Sequence, residues 1–302
     1  MRRVGKIISV RTMDALRNGW FSEIQPDLWP GQCMSLQVDA VLHKEKSPYQ
    51  EILVLQTKKH GRALVLDNII QCTEFDEFAY QEMIAFLPLC AHTSPAEVLI
   101  IGGGDGGVAR EVVKHPLVQH VTQVEIDDRV IAASKKYLPF MSSGFNNAKL
   151  NLIVGDGFAY MDQQRGKFDV IITDSSDPVG PAANLFTENY FKLLSNALRP
   201  GGIICSQGGC IWTGLKEVKA TVDAARKYFS NVKYALVSVP TYPCGQIGLL
   251  IATNDKIDLT HARHLVEDKS LRYYHGDAHK AAFTLPKFAA DQLLPSINNN
   301  IV

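Results

Sequence analysis

The chain of 302 residues has no net charge, because 31 Lys and Arg balance 31 Asp and Glu. A neutral chain carries no field that draws it to nucleic acid or to an acidic membrane, so neither is expected as a partner. It also lacks any run of about 18 apolar residues, and so a transmembrane helix is not expected. The opening MRRVGKIISVRTM is basic but has no long apolar stretch, which argues against a secretory signal. Cysteine is sparse: six, at 33, 72, 90, 205, 210 and 244, with no CxxC pair. Such scatter argues against a zinc site or disulfide framework and fits reduced thiols in the cytoplasm. Each cysteine reads most simply as a small core residue. Internal repeats and low-complexity segments are absent. What remains is an ordinary globular composition, 46% hydrophobic and 21% charged. Its length suits one large domain, or a large domain with a small companion.

The texture changes once along the chain. Residues 1–75 read as a β-strand domain, with ILVLQT (52–57) and RALVLDNIIQCT (62–73) as strands and KKHG and DN as turns. Residues 76–302 read as a second, catalytic domain. EFDEFAYQEMIAFLPLCAH (74–92) opens it, with Phe75, Phe78, Met83, Phe86 and Leu87 near helical spacing. Apolar strands then alternate with helices: EVLII, HVTQVEI, KLNLIV, FDVIIT and GIICSQ. That alternation predicts an α/β fold with a parallel sheet covered on both faces. YALVSVP and IGLLIAT are joined by too few residues for a crossover, so a terminal antiparallel hairpin is expected.

In open α/β sheets ligands bind beyond the carboxyl ends of the strands. Of the five strand ends here, four carry a carboxylate: Asp105, Glu125, Asp156 and Asp174; the fifth carries Gln207. The first lies within VLIIGGGDGGVAREV, a GxGxxG turn between strand and helix. Glu125 follows about 20 residues on, where a ribose-binding acid belongs. Asp105 would repel a pyrophosphate but not an ammonium. Asp156, between Gly155 and Gly157, would accept from an adenine amine or cap the next helix. TDSSDPVGP brings Asp174 and Asp177 into one loop, which would attract a cation. An alkylamine with a pKa near ~10 arrives protonated, and a carboxylate beside it would take the proton as general base. Tyr80, Gln81 and Tyr242 fit either core packing or a place in this site. Trp20, Trp29 and Trp212 read as core packing. His275-Gly-Asp277-Ala-His279 has no supporting ligands, so no metal is expected.

Taken together, SPYQEILVLQ, LDNIIQCTEFDEFAYQEMIAFLPL, VLIIGGGDGGVAREVVKH, QVEIDDRVI, GDGF, FDVIITDSSDPVGPA and VPTYPCGQIG resemble the successive signatures of the spermidine synthases, a family of aminopropyltransferases. The likeness spans about residues 19 to 288. It implies a Rossmann-like methyltransferase-type sheet, mostly parallel, plus the small N-terminal β-domain, usually in a homodimer. It implies aminopropyl transfer from decarboxylated S-adenosylmethionine to putrescine, with no cofactor beyond that co-substrate. By the same resemblance, Gln50, Gln81, Asp105, Glu125, Asp156 and Gly157 would hold the donor, with Asp174 beside it. Asp174 would be the base, and Tyr80 would help place the amine. Asp177, Gln207 and Tyr242 would line the putrescine channel, Trp29 would form an apolar wall, and residues 174 to about 184 would be a gate. Two departures stand out. Gly209 replaces a common glutamate, which bears on amine choice, and Phe75 replaces a common arginine.

Three other readings compete. A putrescine N-methyltransferase would use S-adenosylmethionine itself, but Asp105 would then face the methionine carboxylate. A non-catalytic nucleoside-binding protein would not need Asp174 and Tyr80. A spermine synthase would take a longer amine.

Overall fold

The structure, a computed structural model, describes residues 15–176 and 184–294. Asp177 and most of the expected gate lie outside the described residues. The chain begins with an antiparallel sheet whose six strands pair in sequence order: β1 (Leu16–Arg17), β2 (Trp20–Glu23), β3 (Met34–Lys46), β4 (Glu51–Thr57), β5 (Arg62–Leu66) and β6 (Ile69–Thr73). β3 was not singled out from its polar sequence MSLQVDAVLHKEK, and two irregularities in its register against β4 bend it. β4 and β5 are joined through KKHG, and Asp67 and Asn68 turn the chain into β6 with φ of 47° and 63°.

This sheet is apolar on both faces because each covers something. Leu53, Leu55, Ala63 and Val65 pack with Phe21 and Leu36 on one side. Ile52, Val54, Leu64 and Cys72 alternate with them and pack on Val130, Ala133, Leu138 and Met141 of the second domain. Those partners belong to the helices Asp128–Tyr137 and Pro139–Ser142 and the residue between them.

The second part starts with α1 (Glu77–Ala91) and then winds through β7 (Glu97–Gly102), α2 (Gly107–Val112), β8 (His120–Glu125), α3 (Asp128–Tyr137), α4 (Pro139–Ser142), β9 (Leu150–Val154), α5 (Gly157–Asp162), β10 (Phe168–Asp174), α6 (Glu188–Ala197), β11 (Leu198–Gln207) and α7 (Ile211–Ala225). β12 (Asn231–Ser238) and β13 (Gln246–Thr253) finish the sheet. Its order is β12-β13-β11-β10-β7-β8-β9, parallel except that β13 runs against both its neighbours. This is the expected α/β class with its terminal antiparallel hairpin. The strand order reverses beside β7, so a crevice opens between the ends of β7 and β10.

Several expectations need correction. α1 has no single apolar stripe: it is buried nearly all round, between the sheet and a C-terminal cover that includes Ile257, Leu259, Tyr274 and Ala282. Buried Glu82 anchors that cover by accepting from the backbone N–H groups of Arg272, Tyr273 and Tyr274 at 2.9, 2.9 and 2.7 Å. Phe75 precedes the helix and is half-exposed, edge-on to the His60 ring. Trp20 and Trp212 are surface residues, Trp212 being 60% exposed against Phe288. Cys72, Cys90 and Cys205 are buried, but Cys33 and Cys244 are exposed and Cys210 is half-buried. His279 is a core histidine: Tyr274 Oη lies 2.8 Å from its Nδ1 and the Leu259 carbonyl 3.1 Å from its Nε2. Among the described residues no cluster could hold a metal ion, and no helix is long and apolar enough to cross a membrane.

Candidate active site

Parallel pairing brings the end of β10 to the glycine loop. Asp174 sits opposite Gly102, and the Gly103 N–H donates to the Asp174 carbonyl at 2.9 Å. Gly102 has φ +83°, and a Cβ there would lie 2.0 Å from that same carbonyl oxygen. Only glycine fits. The loop is also held from behind by Gln123, whose Nε2 donates to the Gly102 and Gly103 carbonyls at 2.9 and 2.6 Å.

Beyond the loop lies a cavity of about 410 Å³. Every expected site residue among those described lines it: Trp29, Gln50, Tyr80, Gln81, Asp105 and Glu125 on one part of the wall, and Asp156, Gly157, Asp174, Gln207 and Tyr242 on the rest. Four carboxylates therefore face one space, at or just beyond the ends of four of the five strands β7 to β11. The N-terminal sheet adds a wall of Leu64, Leu66, Ile69 and Ile70 that was not foreseen as part of the site.

Burial dominates the electrostatics. Glu125 is pushed up to about 7 by burial, aided by the charge of Asp127, while the Asp127 N–H at 2.9 Å from Glu125 Oε1 opposes the rise. Asp174 is pushed up to about 8, first by burial and then by the charges of Asp105 and Glu125. The Tyr80 hydroxyl donates to Asp174 Oδ1 at 2.8 Å and opposes that rise. The Tyr80 phenol is itself driven well above its ordinary value by burial, so it stays a donor. Asp105 is raised by burial, against the Gly107 N–H at 2.7 Å, the charge of Arg110 and the Gln81 amide at 3.4 Å. Arg110 is fixed by Glu77 at 2.8 Å and Glu111 at 2.6 Å. A cation placed among these carboxylates lowers all of them together.

Asp156 does cap α5, accepting from Phe158 N at 2.8 Å and Ala159 N at 3.3 Å. Both bonds use Oδ1, so a second role through Oδ2 does not compete with the cap. Gln50 is oriented by Asp127, whose Oδ2 accepts from its Nε2 at 2.9 Å and from Ser47 Oγ at 2.6 Å. Sequence reasoning missed Gln123 and Asp127. The available signals were a glutamine inside the apolar strand HVTQVEI and an aspartate at the head of a helix, where it caps Arg129 N at 3.0 Å.

At the other end, the Tyr242 hydroxyl donates to the Gln71 carbonyl at 2.7 Å, and its ring centre lies 6.0 Å from that of Tyr80. Trp29 lines the cavity and is buried, and its Nε1 meets no hydrogen-bond partner among the described residues. Gly209 has φ +76°, a conformation that opposes any side chain, and its carbonyl accepts from Tyr234 Oη at 2.8 Å.

The chain is similar to proteins already known. A model of the spermine/spermidine synthase domain matches residues 77–261, and a model of the spermidine synthase tetramerisation domain matches residues 19–74. A spermidine synthase of Dictyostelium discoideum is 51% identical over 283 residues, covering 93% of this chain and 99% of that protein. A spermine synthase of Saccharomyces cerevisiae is 45% identical over 285 residues, covering 91% and 95%. A spermidine synthase solved with the transition-state analogue AdoDATO superposes with a TM-score of 0.87 at 32% identity, covering 94% and 97%. Fold, cavity and sequence thus agree, and this chain belongs to the spermine/spermidine synthase family.

Proposed function

We propose that this chain is a spermidine synthase, moving the aminopropyl group of decarboxylated S-adenosylmethionine onto putrescine. The observation that carries the reading is the Tyr80–Asp174 pair, 2.8 Å apart, in one cavity with Asp105. Glu125 takes the ribose hydroxyls and Asp156 with Gly157 the adenine edge, while Gln50 and Gln81 flank the donor. Asp105 meets the donor's terminal ammonium. Asp174, helped by Tyr80, accepts a proton from the attacking ammonium, and a base of raised pKa lies closer to that of an amine than an ordinary carboxylate does. The freed nitrogen lone pair attacks the methylene carbon next to the sulfonium. The carbon–sulfur bond breaks and its electrons stay on sulfur, giving neutral 5′-methylthioadenosine and spermidine. A neutral thioether needs no acid to leave, so positioning and deprotonation are the whole of the task. Gln207, Tyr242 and Trp29 complete the amine end, and Asp177, outside the described residues, is assigned to it by the family resemblance alone. The reading needs no metal and no cofactor beyond the co-substrate, and it carries with it a cytoplasmic homodimer whose β-domain takes part in assembly.

The test supplies purified protein with putrescine and either donor. Methylthioadenosine release from the decarboxylated donor alone is expected. Methyl transfer from S-adenosylmethionine would make the chain an N-methyltransferase instead. The similarity to a yeast spermine synthase favours one second reading, a longer acceptor. Competition between putrescine and spermidine separates the two.

A further inference from the structure

One buried carboxylate has no part in the chemistry above. Asp76 is 3% exposed and stands at the N-cap of α1, yet its side chain caps no helix N–H. Its Oδ1 accepts from Thr73 Oγ1 at 2.7 Å and from Thr241 Oγ1 at 3.0 Å, and its Oδ2 accepts from the Thr241 N–H at 2.8 Å. Thr73 ends β6, Asp76 precedes α1, and Thr241 precedes Tyr242. One carboxylate thus ties the corner between β6 and α1 to a segment 165 positions away. The next residue, Tyr242, makes a second tie to β6 through its hydroxyl and the Gln71 carbonyl at 2.7 Å. The chain from Thr241 to Tyr242 is bracketed at both ends of that step.

We propose that Asp76 is a positioning residue for the attacking amine. It fixes the Thr241–Tyr242 turn against β6 and α1, and so sets the Tyr242 ring beside Tyr80, the residue that holds the base. The inference rests on the aminopropyl-transfer reading. A carboxylate suits the task because three donors converge on it, and it only accepts. Asparagine has to turn its NH₂ toward at least one of those donors. The donor-binding groups Glu125 and Asp156 sit on other strand ends and share no bond with Asp76. α1, which also carries Gln81, has independent anchors in Glu77–Arg110 and in Glu82. The effect of losing Asp76 therefore falls on the amine.

The test is Asp76→Asn in steady-state kinetics with both substrates varied. The diamine KM is expected to rise about tenfold while the donor KM stays within about twofold. Thr241→Ala, which removes one bond of the three and keeps the buried carboxylate, is expected to move the same way by less. In a Tyr242→Ala background, Asp76→Asn is expected to add little, because the two act as one unit. Equal shifts in both KM values, an unchanged diamine KM in both variants, or additive effects with Tyr242→Ala would overturn the proposal while leaving the parent reading standing. A wild-type protein inactive with the diamine and the decarboxylated donor overturns both.

Discussion

Asp174, the proposed base, is placed under two opposed demands. To act as a base it must be ionised, yet burial and the charges of Asp105 and Glu125 push it up to about 8. Turnover per encounter with the amine is therefore expected to climb as pH rises through about 8, read as kcat/KM against pH. Asp174→Asn is expected to lose ~10²-fold or more, the usual size of a lost general base. The same substitution bears on stability. A carboxyl whose folded pKa lies above its unfolded value of 3.8 favours the folded state when protonated, and that advantage is lost as pH rises toward about 8. A neutral isostere removes the strain, so the melting temperature of Asp174→Asn at pH 8 is expected to rise by about 2 °C or more. A lower melting temperature would show that the Tyr80 bond outweighs desolvation. At this scale the sequence was informative wherever a residue followed a strand, because strand ends converge by rule. Gln123 and Asp127 escaped because their partners are backbone carbonyls and a glutamine 77 positions away.

Among the elements, the joint between β7 and α2 tolerates little change. The β10 carbonyl that receives Gly103 N also fills the space a Gly102 side chain would need. Gly102→Ala must therefore part the two strands or break that bond, besides adopting a positive φ. A loss of about 3 kcal/mol is expected, with donor binding lost alongside, read by denaturant unfolding and by calorimetric titration. Wild-type stability in that variant would mean the loop can retreat from β10. The GxGxxG pattern made the turn legible in advance. That β10 supplies the opposing atom depends on the crossover order, which no local pattern encodes.

For the molecule as a whole, the small sheet packs on α3 and α4 along one seam: Ile52, Val54, Leu64 and Cys72 against Val130, Ala133, Leu138 and Met141. The cavity lies along it, so the small sheet is part of the site and not an appendage. Away from the cavity, His115 is fully buried and held down to about 4, chiefly by burial and then by the positive fields of His264, Lys149 and His92. A histidine with a folded pKa below its unfolded 6.5 stabilises the fold in the neutral form. Its contribution is present above about pH 6.5 and is lost as pH falls through that value toward about 4. Thermal unfolding across that window is expected to show a steeper loss of stability in the wild type than in His115→Phe. Parallel curves would remove His115 as the cause.

Period, composition and strand-end chemistry by themselves determined the α/β class, the order of the strands in the chain, the glycine turn and the four carboxylates. Those are local or statistical properties, and the chain carries them wherever it folds. Tertiary structure alone decided which carboxylates are raised, and by what, because burial and charge separation exist only once the strands are side by side. It alone exposed Trp212 while burying Trp29, since both are tryptophans in polar stretches until a neighbour covers one of them. And it alone joined Asp76 to Thr241 across 165 positions, because such a contact is a consequence of packing and has no sequence period.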